Sequence, residues 1–195
     1  NLGNALFELS EFDKSLDCYK TAVKLDPNFS DAFNNLGNVY QKKEDLNKAI
    51  ESYEAAISLN SGLNKDKPYY NLGNIFRKLE SFKKSIDYYK KAIDINPNSV
   101  DAYINLSISL NKIGNLKEAI RICEKAIEKD PKNVTALNNL GKYQQEIGSE
   151  DLSIANYRKA IEFRPTDLRS RWLLMNTFPI IYSNFEQIDF FNKSF

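Results

Sequence analysis

Histidine is missing from all 195 residues. With it go the commonest general acid/base at neutral pH and the commonest zinc ligand. The two cysteines, Cys18 and Cys123, are far apart and form no clustered metal-binding pattern. Both fall in apolar-periodic segments and read as buried, reduced thiols, so a reducing, cytoplasmic compartment is expected. No apolar run approaches the ~20 residues that span a bilayer, and no secretory signal opens the chain. Neither sign of charge is in excess. Lys+Arg 27 against Asp+Glu 26 leave a net charge of +1, which gives nucleic acid or an anionic membrane no reason to bind. Phosphate-binding glycine loops and dinucleotide fingerprints are absent too. The acidic residues lie on solvated helix faces rather than in facing pairs. No enzymatic activity, cofactor or metal is therefore expected of this chain. Sequons at Asn28, Asn105, Asn133 and Asn192 read as chance matches in an asparagine-rich chain.

What is present is a repeat. NLGN occurs at 1–4, 35–38 and 71–74, with NLGK at 139–142, inside stretches that otherwise read as helix. Gly3, Gly37, Gly73, Ser107 and Gly141 succeed one another at steps of 34 or 36 residues. Small residues follow each of them at Ser15, Ala49, Ser85, Ala119 and Ser153, and again at Ala22, Ala56, Ala92, Ala126 and Ala160. Between these two sets come Tyr19, Tyr53, Tyr89, Cys123 and Tyr157. Pro27, Ser61, Pro97, Pro131 and Pro165 close the units.

This pattern resembles the tetratricopeptide repeat, a helix–turn–helix unit with small residues at positions 8, 20 and 27 and proline at 32. The resemblance implies an all-α, right-handed α-solenoid. Five units would fill residues 1–165, the first truncated at its start. Residues 166–195 would hold a partial sixth helix and a capping or linker helix. Ser61 replaces the usual proline, two extra residues enter before Pro68, and Glu150 replaces the usual aromatic at position 17. The joint at Ser61–Lys67 is the expected flexing point.

The same pairing follows from periodicity alone. Phe33, Leu36, Gly37 and Tyr40 make one apolar face on a helix over 31–43. Ala49, Ile50, Tyr53, Ala56 and Ile57 make another on its partner over 46–59. A mid-helix glycine costs about 1 kcal/mol relative to alanine, which close packing of the two helices has to offset. Ser30, Asp66 and Asp101 are expected to cap helix starts through their side chains. Pro68 suits a first turn, and Gly114 and Gly148 suit turns of positive φ.

Asparagine at position 6 is present in every unit, as Asn1, Asn35, Asn71, Asn105 and Asn139, and position 9 adds Asn4, Asn38 and Asn74. Positions 2, 6, 9 and 13 share a helix face opposite the apolar one, so stacking would align these amides along the inner surface of the solenoid. A primary amide carries two donors and an acceptor with two lone pairs, and it pairs with a peptide group as peptide groups pair with each other. Two readings stay open. The row holds an extended partner by its main chain, or it ties adjacent units together. Lys42, Lys78 and Lys112 stand beside the row at position 13, with Arg77 next to Lys78, and read either as solvated charge or as a preference for acidic ligands. The carboxylate clamp of chaperone-binding relatives is incomplete here, because positions 2 and 5 read Asp31/Asn34, Lys67/Tyr70 and Asp101/Ile104.

The expected peptide-binding residues are thus Asn35, Asn38, Asn71, Asn74, Asn105 and Asn139 with Lys42, Lys78 and Lys112. Their partners would be proteins or peptides in extended conformation. The chain opens halfway along a first helix, so more repeats are expected upstream. TDLRSRWLLMNTF begins like a sixth first helix, Pro179 stops it, and PIIYSNFEQIDFFNKSF follows. That tail resembles the junction between repeats and catalytic half in SPINDLY-like and O-linked N-acetylglucosamine transferases, which also carry an asparagine row. The second hypothesis is therefore a glycosyltransferase's substrate-recognition arm, with its catalytic domain beyond Phe195. Helical-repeat RNA binding would need a basic inner face, which a net charge of +1 does not supply.

The small positions yield a stability test. Ala56→Leu or Ala92→Leu should overpack the helix contact and lower stability by about 1–3 kcal/mol. Unchanged melting of either variant would refute that packing.

Overall fold

The computed structural model describes residues 2–59 and 65–177. Asn1, Ser61 with most of the expected flexing joint, Pro179 and the tail helix lie outside the described residues. Eleven α-helices and no strand occupy the described residues. A first compact unit, Asn1–Lys129, holds α1 (Leu2–Glu8), α2 (Phe12–Leu25), α3 (Ser30–Lys42), α4 (Leu46–Leu59), α5 (Asp66–Lys78), α6 (Phe82–Ile95), α7 (Val100–Lys112) and α8 (Leu116–Lys129). A second, from Asp130 onward, holds α9 (Val134–Glu146), α10 (Glu150–Phe163) and α11 (Leu168–Thr177). The fold is an all-α solenoid of paired helices. In the first unit α1/α2, α3/α4, α5/α6 and α7/α8 are hairpins, and the second helix of each of the first three packs on the first helix of the next. In the second unit α10 packs on both α9 and α11.

The turns explain why each hairpin closes. A left-handed residue follows each first helix: Ser10 (φ 61°), Glu44 (61°), Glu80 (56°), Gly114 (78°) and Gly148 (80°). The next N–H then reaches back five residues, as in Glu11 to Leu6 (2.8 Å), Asp45 to Tyr40 (3.0 Å), Ser81 to Phe76 (2.8 Å), Asn115 to Leu110 (3.0 Å) and Ser149 to Gln144 (2.8 Å). This is Schellman closure, which satisfies carbonyls the helix end would leave open. Only two of the five positions are glycine, and a non-glycine residue there is strained by about 1–2 kcal/mol.

The expected caps at Ser30, Asp66 and Asp101 are corrected. α3, α5 and α7 begin after Phe29, Lys65 and Ser99, and none of these three makes a side-chain cap hydrogen bond. Ser30 Oγ instead donates to the Ala56 carbonyl (2.9 Å), and Asp66 accepts from Asn96 Nδ2 (3.0 Å). Asp101 lies exposed inside α7. Side-chain caps at first helices come from Asn133, which accepts from Ala136 N–H (3.0 Å) at α9, and from Asp167, which accepts from Ser170 N–H (2.8 Å) at α11. Pro68 is buried in the first turn of α5 as expected.

The core explains the repeated glycine more sharply than backbone approach does. Tyr53, Tyr89 and Tyr157 are wholly buried. A Cβ on Gly37, Gly73 or Gly141 would lie 2.5, 2.5 or 2.6 Å from Cε1 of the tyrosine sixteen residues on, and one on Gly3 would lie 2.8 Å from Tyr19 Cζ. Each glycine leaves the space that a tyrosine ring fills. Where the small residue is Ser107 and carries a Cβ, the ring is gone and Cys123 stands in its place.

Gly73→Ala should therefore lower the melting temperature. The propensity gain of about 1 kcal/mol is outweighed by overpacking a ring that is already enclosed. Gly73→Ser with Tyr89→Cys, which copies the fourth repeat, should be less destabilised than the two single changes summed. Strict additivity in that double-mutant cycle would refute the pairing.

Candidate functional site

Helices α3, α5 and α7 bury Leu36, Leu72 and Leu106 at their middles on one side, which leaves the amides on the other. Asn35, Asn38, Asn71, Asn74 and Asn105 are all half-buried. They form a chain of hydrogen bonds from helix to helix. Asn35 Nδ2 donates to Asn4 Oδ1 (3.4 Å), Asn71 Nδ2 to Asn38 Oδ1 (3.0 Å), and Asn105 Nδ2 to Asn74 Oδ1 (3.2 Å). The position-6 amide of one repeat thus pairs with the position-9 amide of the repeat before it.

Tyrosines orient this chain. Tyr53 and Tyr89 donate their hydroxyls to Asn38 and Asn74 Oδ1 at 2.8 Å, and Tyr19 donates likewise to Asn4. Each position-9 oxygen thereby accepts two bonds, its full complement. The Gln41 side-chain amide also lies 2.8 Å from the Tyr53 hydroxyl, and Arg77 Nε donates to the Tyr89 hydroxyl (3.3 Å). Asn71 Nδ2 has a second acceptor in Asn34 Oδ1 (3.1 Å), and Asn105 Nδ2 has one in the Tyr70 hydroxyl (3.0 Å).

This leaves an ordered set of spare groups. The amide nitrogen of Asn38 donates to nothing among the described residues, that of Asn74 donates to the Tyr70 hydroxyl and keeps its other N–H, and no bond is accepted there by the amide oxygens of Asn71 and Asn105. Each joint therefore keeps at least one N–H beside an open acceptor, in the same order both times, with Asn74 also tied to Tyr70.

Asn139 has different surroundings. It lies on α9 in the second unit, is buried, and accepts from Arg169 Nη2 (3.2 Å), while its Nδ2 has no partner among the described residues. Beside it the buried Asn138 donates to Ser170 Oγ (2.8 Å) and Asp167 Oδ2 (3.3 Å). Lys42, Lys78 and Lys112 are exposed. Lys78 lies 3.8 Å from the exposed Glu44, a pair that water and salt weaken.

Periodicity places the tyrosines on apolar helix faces and gives their hydroxyls no role. The signal was present in the chain itself. Glycine at position 8, asparagine at 9 and tyrosine at 24 occur together three times, and all three change together at Ser107, Ile108 and Cys123. In the fifth repeat position 9 is Lys142, and Tyr157 donates at 3.5 Å to Gln145 instead. Cys18 is half-buried and Cys123 buried, and neither is in a disulfide. Among the described residues no group of three His, Cys, Asp or Glu side chains is placed to hold a metal, and no helix is long and apolar enough to cross a membrane.

Comparison with known proteins defines the class. Models described as tetratricopeptide repeat match residues 30–63 and 67–99, and 88–121 and 122–155, and one described as TPR repeat matches 3–44. The chain belongs to the tetratricopeptide-repeat family and is a protein-interaction module. It is similar to the crystal structure of YrrB, titled a TPR protein with an unusual peptide-binding site, at 27% identity. That match covers 88% of each chain with a TM-score of 0.72. A crystal structure of MamA is also 27% identical over 85% of this chain and 95% of its own, with a TM-score of 0.76. PilF of Pseudomonas aeruginosa, 14% identical over 99% of this chain and 83% of its own, shares the fold with a TM-score of 0.82. No curated protein matches the chain in sequence. These findings lend no support to the glycosyltransferase-like tail, most of which lies outside the described residues.

Burial raises the Tyr53 and Tyr89 hydroxyl pKa values, Tyr89 to about 12 despite the opposing effect of Arg77. A folded pKa above the unfolded one gives stability that is complete below the unfolded value and is lost as pH rises through the folded one. Stability should thus fall between pH 10 and 12, and Tyr89→Phe should flatten that fall in melting temperature against pH. A Tyr89→Phe profile parallel to the wild type would refute the assignment.

Proposed function

We propose that the amide face of the first unit binds extended polypeptide segments of partner proteins through their main chain. The observation that carries this reading is the ordered set of spare groups. Asn38 with Asn71, and Asn74 with Asn105, each offer a free donor next to a free acceptor. A peptide unit presents the complementary pair, a carbonyl and an N–H, whatever its side chains. Joint and grip then use different atoms of the same amides, so the two roles are compatible. The peptide-binding site in YrrB's title supports the reading at the level of the family. Lys42, Lys78 and Lys112 would favour carboxylates on the ligand. A glycosyltransferase's substrate arm would use the same face, and no observation favours that special case.

Asparagine-to-aspartate changes separate the two roles. Asn38→Asp and Asn74→Asp keep the oxygen that accepts from tyrosine and from the neighbouring amide, and they replace the amide donor by a carboxylate oxygen, at Asn74 together with its bond to Tyr70. Peptides selected on the wild-type protein from a random library should bind the double variant at least tenfold more weakly, at about 1 kcal/mol per lost hydrogen bond, with melting nearly unchanged. Asn71→Ala with Asn105→Ala should weaken the same peptides while helical content persists. Full affinity in both variants would refute the grip.

A further inference from the structure

The two joints of the amide row are separated by one first helix. Cα atoms of α3 and α5, and of α5 and α7, approach within 8 Å, and amides bridge both helix pairs directly. Helices in such contact lie about 8–10 Å apart, which sets the step from one joint to the next. A ligand gripped at both joints has to present the same groups on the same side at that interval. A β-strand returns its groups to one side every two residues, at about 6.6–6.8 Å and again at about 13 Å, and misses the step. A polyproline II helix returns them every three residues, at about 9.3 Å, and meets it.

Each joint takes one carbonyl and one N–H, through Asn38 with Asn71 and through Asn74 with Asn105. Three residues carry three N–H groups, so two in every three are not needed. Proline lacks only the N–H, keeps its carbonyl and holds φ near the polyproline II value. It can fill two positions in three without losing a bond to the row, and its rigidity reduces the entropy lost on binding.

The row also holds an aromatic ring. Tyr70 on α5 is half-buried, and its hydroxyl accepts from Asn105 Nδ2 (3.0 Å) and from Asn74. Its ring lies 6.0 Å from that of Tyr89. These contacts fix a flat apolar surface beside the second joint. An aromatic face next to hydrogen-bonding groups is a general device for reading proline.

We infer that the preferred ligand of the amide row is a proline-rich segment in the polyproline II conformation, with a non-proline residue at every third position. The inference rests on the main-chain grip proposed above and adds to it a conformation and a sequence period. The non-proline residues give their N–H groups to Asn71 and Asn105, and a proline ring packs on Tyr70.

The test titrates capped nonapeptides into the isotope-labelled full chain and follows the side-chain amide signals of Asn38, Asn71, Asn74 and Asn105. A peptide of three Ala-Pro-Pro triplets should shift them saturably. An all-proline nonapeptide has no N–H to give, and three Ala-Ser-Gly triplets have every N–H but no preformed helix. Both should bind at least tenfold more weakly. Tyr70→Ala should weaken the Ala-Pro-Pro peptide at least fivefold and leave the Ala-Ser-Gly peptide unchanged. Equal binding of the Ala-Pro-Pro and Ala-Ser-Gly peptides at these amides would overturn the proline preference and leave the main-chain grip standing. Equal binding of the all-proline peptide would overturn the three-residue period. Shifts centred away from the row, or none with any peptide, would overturn both the preference and the grip.

Discussion

The contact on which most of this structure depends is a tyrosine ring laid against a glycine. At Gly37/Tyr53, Gly73/Tyr89 and Gly141/Tyr157 the ring occupies the volume a Cβ would need, and the tyrosine is wholly buried. The helix gives up about 1 kcal/mol of propensity at each glycine. Burying an aromatic side chain of 150–250 Å² more than offsets that. The same placement carries the hydroxyls of Tyr53 and Tyr89 through the helix pair to the far side, where each meets an asparagine. A phenylalanine would fill the volume equally well and leave the amide unoriented.

That hydroxyl turns a packing unit into a patterned surface. An amide can present its oxygen or its nitrogen to a given neighbour, and at half-buried positions little else decides which. Tyr53 and Tyr89 decide it by donating to Asn38 and Asn74, so the following repeat must offer a donor, and Asn71 and Asn105 do. Each choice fixes the next, and the polarity of the row is the same at both joints. The fourth repeat ends it. Cys123 cannot donate as Tyr89 does, and Ile108 has no amide to receive a donor.

Much of the fold was legible in the sequence because it rests on spacing. The helix pair α3 and α4, predicted over 31–43 and 46–59, falls at Ser30–Lys42 and Leu46–Leu59. The positive φ of Gly114 and Gly148 was legible from residue type, whereas Ser10, Glu44 and Glu80 adopt it without any sign in their chemistry. Their hairpins demand it, and closing the turn outweighs the strain. The caps failed for a related reason. Ser30 reads as a cap from its neighbours in sequence, but the Ala56 carbonyl, twenty-six residues away, is the acceptor within reach. The asparagines were legible as a row, and their direction was not, because direction depends on hydroxyls contributed by the other helix.

Asn138 and Asn139 show that register alone does not assign a role. Asn139 occupies the same repeat position as Asn71 and Asn105, yet it is buried against Arg169, and Asn138 is tied to Ser170 and Asp167. Asn138 Oδ1 and Asn139 Nδ2 have no partner among the described residues, and a buried, unsatisfied polar atom costs about 1–3 kcal/mol. The spare atoms of Asn38, Asn71, Asn74 and Asn105 belong to half-buried side chains, where water satisfies them at little cost until something displaces it. An amide pair ready to exchange water for a peptide group needs this intermediate exposure. Full burial removes access, and full exposure removes the neighbours that orient the pair. The tyrosine–glycine contact sets that depth by fixing how closely α3 and α4, and α5 and α6, approach each other.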